Sequence, residues 1–183
     1  MALCPTPLKQ IPITAWLLIL IINCDNVFAQ AKTELHKLVD TFPPNTGDIA
    51  FNAALDDPSF TVCNPQIVLQ YYNTASYYKE HKREIEHYFK SNYQPGTETE
   101  DQSGYLTIRF IINCSGQTGR FRMYELDTGY KPFTFHSAIS DQLMKLTKNL
   151  QGWQPATYKG KIYDSYQYIT FRLKKGAIEC ISP

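Results

Sequence analysis

The sequence has few of the features that mark fibrous, disordered or nucleic-acid-binding chains. Glycine and proline number only 9 and 11 in 183 residues, which excludes a collagen-like or Pro/Gly-rich low-complexity chain. The 18 Lys and Arg almost balance the 17 Asp and Glu, so a net charge of +1 gives no reason to expect nucleic acid or an acidic membrane surface as a partner. No apolar run reaches the roughly 18 residues of a membrane-spanning helix. With 43% hydrophobic residues, the composition predicts one globular domain plus an extension.

The first 29 residues predict a secretory signal peptide. Lys9 is the only charge before an apolar stretch whose uninterrupted part, Ala15–Ile22, is eight residues long. Val27-Phe28-Ala29 then supplies the small residues of a cleavage site, and the mature chain would begin at Gln30. Two other interpretations stay open: an uncleaved membrane anchor, and lipid attachment at Cys24.

Cysteine is scarce in the predicted mature chain. Cleavage after residue 29 would remove two of the five cysteines and leave Cys63, Cys114 and Cys180. In an oxidising compartment this odd number predicts one disulfide and one free thiol, and all three pairings are possible. We favour Cys63–Cys114, because it would attach the N-terminal extension to the first core strand; three buried thiols are the alternative. We expect neither a metal site nor a cofactor, since there is no C-x-x-C and the four histidines are scattered.

Hydrophobic periodicity predicts an α+β domain. Spacings of three and four predict amphipathic helices, and strict alternation predicts half-buried strands. In chain order the elements are a helix over Ala75–Lys90, strands over Tyr105–Asn113 and Gly119–Leu126, a helix over Phe135–Leu150 and a strand over Ile162–Leu173. This helix–strand–strand–helix–strand order predicts helices packed on one face of a small antiparallel sheet. Residues 30–74 would form an N-terminal extension, residues 75–176 the domain, and residues 177–183 a C-terminal tail.

The same segments resemble a known family. Tyr93-Gln94-Pro95, the strand Gly104–Asn113, Trp153-Gln154-Pro155 and the strand Ile169–Leu173 follow in the order and spacing of the TonB C-terminal domain, the receptor-contacting periplasmic part of an energy transducer of Gram-negative bacteria. The sequences of these strands are most similar to those of stand-alone members from the Bacteroidetes. The acidic insertion Thr97–Ser103, Cys114 and the lack of a Pro-rich linker depart from the family pattern, so the fold transfers better than the function.

The resemblance implies a binding role in the periplasm. In the family, the edge of the last strand accepts a short extended receptor segment by β-augmentation, in connection with outer-membrane transport. The partner-binding residues it implies here are Tyr163, Tyr166, Gln167, Tyr168, Thr170 and Arg172. Alternatively, these tyrosines only cover the second face of the sheet. Two other functions stay open: a transducer held in the inner membrane by an uncleaved N-terminus, and a structural protein that self-associates, for example as a homodimer.

Evidence for catalysis is weak. Glu84 and His87 would share one face of the first helix, as in di-iron bundles, but such sites need that motif twice together with two further glutamates. A charged, solvated helix face explains this pair better. None of the common nucleophile, phosphate-loop or metalloprotease motifs occurs. We therefore expect a non-catalytic protein, with a Cys–His pair as the remaining catalytic alternative.

Overall fold

The computed structural model describes residues 48–70 and 81–182, all of which belong to one compact unit that begins at Asp48. In these ranges the α-helices are α1 (His81–Asn92) and α2 (Ser137–Asn149), and Thr97–Thr99 form a short 3₁₀ helix. The strands are β1 (Val68–Gln70), β2 (Gly104–Ile112), β3 (Thr118–Asp127), β4 (Ala156–Tyr158), β5 (Lys161–Lys174) and β6 (Ala177–Ser182). The predicted α+β class is confirmed.

The central strands form a sheet in the order β1-β5-β2-β3. β2 pairs with β3 and with β5 in antiparallel fashion, and the β2–β5 register runs from Gly104 opposite Leu173 to Ile112 opposite Ser165. β1 lies parallel to β5, with Val68 opposite Asp164, so the described sheet is mixed rather than purely antiparallel. A parallel neighbour requires a long connection, and the chain between β1 and β5 supplies it.

All five predicted elements are present in the described chain, which has three further strands, β1, β4 and β6. α1 begins at His81 in the described chain, so residues 75–80 of the first predicted helix lie outside the described residues. The predicted tail from residue 177 forms β6, which pairs with β5 in a tight hairpin. Its turn residues Lys175 and Gly176 have φ of 50° and 72°, the left-handed conformation that two-residue hairpin turns require. The Tyr93 hydroxyl donates to the Gly176 carbonyl at 2.7 Å, and burial raises the pKa of Tyr93 to about 12.

The main core lies between the sheet and the two helices. The alternation predicted for β2 and β5 is confirmed, because Leu106, Ile108, Phe110 and Ile112 of β2 and Ile169, Phe171 and Leu173 of β5 are all buried in this core. Phe89 of α1 meets Phe171 edge to face, with ring centroids 4.7 Å apart, and neither side chain is exposed. Each helix therefore contributes its apolar stripe to one face of the sheet.

A smaller cluster lies on the opposite face of the sheet, away from α1 and α2. It joins Ile49 and Val62 to Ile111 of β2 and Tyr166 of β5, with Phe60 and Val68 packed against it. The Arg122 guanidinium fixes the same N-terminal segment by donating to Asp56 at 2.7 and 2.8 Å and to the Ala50 carbonyl at 2.7 Å. Residues 48–70 are therefore packed into the domain, and β1, which lies within the predicted extension, is one strand of the sheet.

Candidate functional site

The edge of β5 that was predicted to bind a partner is covered over much of its length. β2 occupies one side of β5 from Ser165 to Leu173, β1 pairs with its other side at residues 164–166, and β6 pairs with that side at residues 170–174. β1 and β6 thus occupy much of this edge, and partner binding at β5 stays a prediction. The C-terminal residues fold back as β6 and satisfy backbone groups that an open edge would leave to a partner.

Two of the predicted partner-binding residues are buried. Tyr166 is 5% exposed, and its hydroxyl donates to the Asp48 carboxylate at 2.8 Å. Desolvation by burial, followed by that hydrogen bond, raises the pKa of Tyr166 to about 12. Gln167 is likewise 5% exposed. Both side chains belong to the folded domain and not to its surface.

The other four predicted residues are more accessible. Tyr163, Tyr168 and Thr170 are half-buried, and Arg172 is exposed. Thr170 shares a 3.0 Å hydrogen bond with Thr107 of β2, and Arg172 forms an ion pair with Glu179 of β6 at 2.5 Å. By the strand register, Tyr168, Thr170 and Arg172 share the face opposite α1 and α2, whereas Tyr163 lies beside Ala156 of β4. Their role in partner binding stays a prediction.

Among the described residues, the opposite edge of the sheet, β3, is open over a short stretch. The Phe133 N–H donates to the Glu125 carbonyl at 3.1 Å, and the Asp127 N–H donates to the Lys131 carbonyl at 2.9 Å. Glu125 and Asp127 therefore direct their backbone groups away from β2. Since these directions alternate along a strand, the N–H and C=O of Met123 point outward as well. No strand within residues 48–70 or 81–182 pairs with β3 on that side at Met123.

Both ends of this open stretch are closed. Residues 131–133 cover β3 from Glu125 onward. At the other end, the register shifts between Arg109 and Ile111, and Arg120 on the opposing strand has a φ of 54°, which marks a β-bulge. The Arg122 guanidinium also donates to the Phe121 carbonyl at 2.8 Å. Bulges and covered ends protect an edge against indiscriminate pairing, so only a short segment fits here.

A cavity of about 310 Å³ lies at the N-terminal end of β3. Its lining comes from three parts of the chain, the segment before β1, the start of β3 and the end of α2: Leu55, Asp56, Asp57, Ser59, Phe60, Gln117, Thr118, Gly119, Arg120, Phe121 and Lys148. Hydrogen bonds from Arg122 are the main cause that lowers the pKa of Asp56, so this carboxylate is ionised and paired. Hydrogen bonds from Ser59 lower the pKa of Asp57.

Helix α2 runs alongside β3 in the opposite direction. Near its start, the Ser140 hydroxyl donates to the Glu125 carboxylate at 2.5 Å. Near its end, the Lys148 ammonium lies 5.7 Å from the centre of the Phe121 ring. Met144, between them, is half-buried against the main core. The open part of β3 is thus bordered by a helix, an arrangement that suits a peptide added as an extra strand.

Two of the described cysteines serve the fold. Cys63 and Cys114 form a disulfide with an S–S distance of 2.08 Å, the pairing favoured from the sequence, and Cys180 is free and exposed. The Asp164 carboxylate lies within 4.8 Å of both sulfur atoms, a grouping that could resemble a metal site. Its oxygens accept the N–H groups of Asn64 and Cys114, and the sulfurs are bonded to each other, so these atoms fasten the chain together.

The pair Glu84 and His87 on α1 is half-buried and exposed, respectively, as expected for a solvated helix face. Within the described ranges, no helix has the length and apolar character to cross a membrane. Sequence reasoning missed Arg120, Met123 and Lys148, which no motif distinguishes. We found no family model, no curated protein and no solved structure that matches this chain.

Proposed function

We propose that this chain is a non-catalytic binding protein of the periplasm, built on a TonB C-terminal-like domain, that adds a short extended protein segment to the edge of β3. Such a segment could come from an outer-membrane receptor. The observation that carries the proposal is the outward backbone of Met123, which lies between two closed ends of an edge strand. The helix–strand–strand–helix–strand order supports the family resemblance, and because β6 pairs with much of the outer side of β5, we assign binding to the β3 edge.

The binding mode follows from the geometry of a sheet edge. One residue of the added segment would donate its N–H to the Met123 carbonyl, and the carbonyl of that residue would accept the Met123 N–H. At about 3.3 Å per residue, the stretch between the bulge and residues 131–133 has room for roughly three or four residues. Each backbone hydrogen bond contributes about 0.5–1.5 kcal/mol net, so affinity must come mainly from side chains. This predicts weak, reversible binding.

A selection with random heptapeptides displayed on phage tests the proposal, with the mature disulfide-bonded chain as bait. Selected peptides are synthesised and added to ¹⁵N-labelled protein, and backbone amide shifts are followed. We expect the largest shifts at Phe121, Met123 and Glu125. Shifts confined to β5 and β6, or no selected peptide at all, would contradict binding at β3.

Two substitutions at one position separate backbone from side-chain effects. Met123→Pro removes the outward N–H at an edge position where proline is tolerated, and it should abolish peptide binding. Met123→Ala keeps the N–H and should retain most of the binding. Thermal melts of both variants verify the fold. Equal binding by Met123→Pro and wild type would refute pairing at this residue.

A second copy of the chain is the alternative occupant of the same edge. Light scattering over a dilution series distinguishes the two, because a dimer that persists on dilution and is lost in Met123→Pro would favour self-association. The anchored-transducer alternative depends on residues 1–29, which lie outside the described residues.

A further inference from the structure

We propose that the segment bound at β3 carries an acidic side chain, and that this side chain enters the cavity beside Phe121 between Arg120 and Lys148. The inference rests on the proposed function and specifies the chemistry of the partner. The cavity includes Gly119, Arg120 and Phe121 in its lining, so it begins two residues from Met123. At about 3.3 Å per residue, a segment paired at Met123 reaches it with its next one or two residues.

The charges of the cavity favour an anion. Four ionisable residues line it, and Asp56 is already neutralised by its two hydrogen bonds with Arg122. Asp57 is engaged locally, because its carboxylate accepts both the N–H and the hydroxyl of Ser59 at 2.8 and 2.7 Å. Among the described residues, neither Arg120 nor Lys148 has an acidic partner within ion-pair distance. The two cations therefore outnumber the one remaining carboxylate.

Arg120 is held in place before any partner arrives. Its left-handed backbone at the bulge is a conformation that non-glycine residues adopt rarely. One terminal nitrogen donates to the Ile49 carbonyl at 3.1 Å, and the guanidinium lies 6.0 Å from the centre of the Phe51 ring. Its Nε is buried without a hydrogen-bond partner in the part of the chain that the structure describes. A guanidinium that is fixed and incompletely satisfied loses little freedom when it binds a carboxylate.

The apolar lining favours a side chain with a methylene stem. Phe60 and Phe121 are half-buried walls of the cavity, and Leu55 at its rim is 62% exposed. The aliphatic part of a glutamate can pack against these side chains while its carboxylate reaches the two cations. Since Lys148 already lies over the Phe121 ring, the carboxylate and the ring would contact the same ammonium.

The test uses the heptapeptides selected on phage that shift the Met123 amide. We expect enrichment of Glu or Asp at one position. A selected acidic peptide is compared with its Glu→Gln counterpart by fluorescence anisotropy on wild type, Arg120→Gln, Lys148→Gln and Lys145→Gln. Lys145 is an exposed lysine of the same helix that does not line the cavity, so its variant changes the net charge equally.

We expect the Glu peptide to bind wild type about tenfold more tightly than the Gln peptide, since one charge-assisted hydrogen bond is lost. Arg120→Gln and Lys148→Gln should each remove most of this difference, and Lys145→Gln should leave it unchanged. Lys148 is exposed, so we expect its substitution to leave the fold intact. Lys148→Gln therefore still tests the inference if Arg120→Gln disturbs the bulge.

Equal affinities of the Glu and Gln peptides, selected peptides without acidic enrichment, or an equal effect of Lys145→Gln would overturn the inference while binding at β3 stands. If no peptide shifts the Met123 amide, the proposed function fails and the inference fails with it.

Discussion

The Asp164 carboxylate holds the backbone of Cys114: the Cys114 N–H donates to Oδ1 of Asp164 at 2.8 Å. This hydrogen bond lies directly beside the disulfide that Cys114 forms with Cys63. The second oxygen of the same carboxylate accepts the Asn64 N–H at 2.7 Å. One buried side chain of β5 thus fixes both chain segments that the disulfide joins. The disulfide and the hydrogen bonds to Asp164 therefore connect the same two segments of the chain.

Replacing Asp164 with Ala should lower the free energy of unfolding by roughly 2–4 kcal/mol, because two N–H groups lose their carboxylate acceptor. Urea denaturation measures this. Asp57→Ala is the matched control, since Asp57 also accepts a backbone N–H but is exposed, and we expect less than about 1 kcal/mol there. Equal losses in the two variants would show that burial does not govern the contribution of Asp164.

The double variant Cys63→Ser/Cys114→Ser should lose about 4 kcal/mol of stability, the loop-entropy value for a crosslink across a sequence separation of 51 residues. The loss should show as a lower urea midpoint of the oxidised protein. Cys180→Ser should leave the midpoint unchanged, because Cys180 is free and exposed. An unchanged midpoint in the double variant would mean that packing alone fixes residues 48–63.

Asp56 should stabilise the fold only above acidic pH. Hydrogen bonds from Arg122 lower its pKa below 3.8, so the folded state binds fewer protons than the unfolded state in that range. The contribution is present above pH 3.8 and is lost as the pH falls through the lowered value. The difference in unfolding free energy between wild type and Asp56→Asn should therefore shrink below about pH 4. A constant difference from pH 7 to pH 2 would contradict this.

Glu125 should have the opposite pH dependence. Burial raises its pKa above 4.5, only partly offset by the hydrogen bond from Ser140, and the nearby charge of Asp141 adds to the increase. The folded state then binds more protons, so this contribution is present below pH 4.5 and is lost as the pH rises through the raised value. Relative to Glu125→Gln, wild type should lose stability over that interval. Parallel pH profiles of the two proteins would contradict the prediction.

The periodicity of the sequence predicted the elements that bury long apolar stripes. β2 alternates through Leu106, Ile108 and Phe110, β5 alternates through Ile169, Phe171 and Leu173, and α2 repeats its apolar positions over 13 residues, so their faces could be assigned locally. β1 and β6, with three and six residues, lack such a pattern, and only their tertiary pairing with β5 defines them.

The candidate site was harder to predict because its parts are distant in sequence. Alternation placed Tyr166 on the second face of the sheet, but nothing local indicated that Ile49 and Val62 would bury it there. Arg120 and Lys148 line the same cavity only because α2 packs antiparallel to β3. The left-handed conformation of Arg120 follows from the bulge, and no turn-forming residue in the sequence predicts that bulge.

The position of β5 at the centre of the sheet has a kinetic consequence. β1 and β2 precede β5 in sequence, so Val68 of β1 and Ile108 of β2 must wait for a strand that follows them by many residues. The sheet therefore assembles only once β5 is available, and it depends on contacts between residues far apart in sequence. Until then β1 and β2 remain without their central partner, and a chain truncated before β5 cannot assemble this sheet.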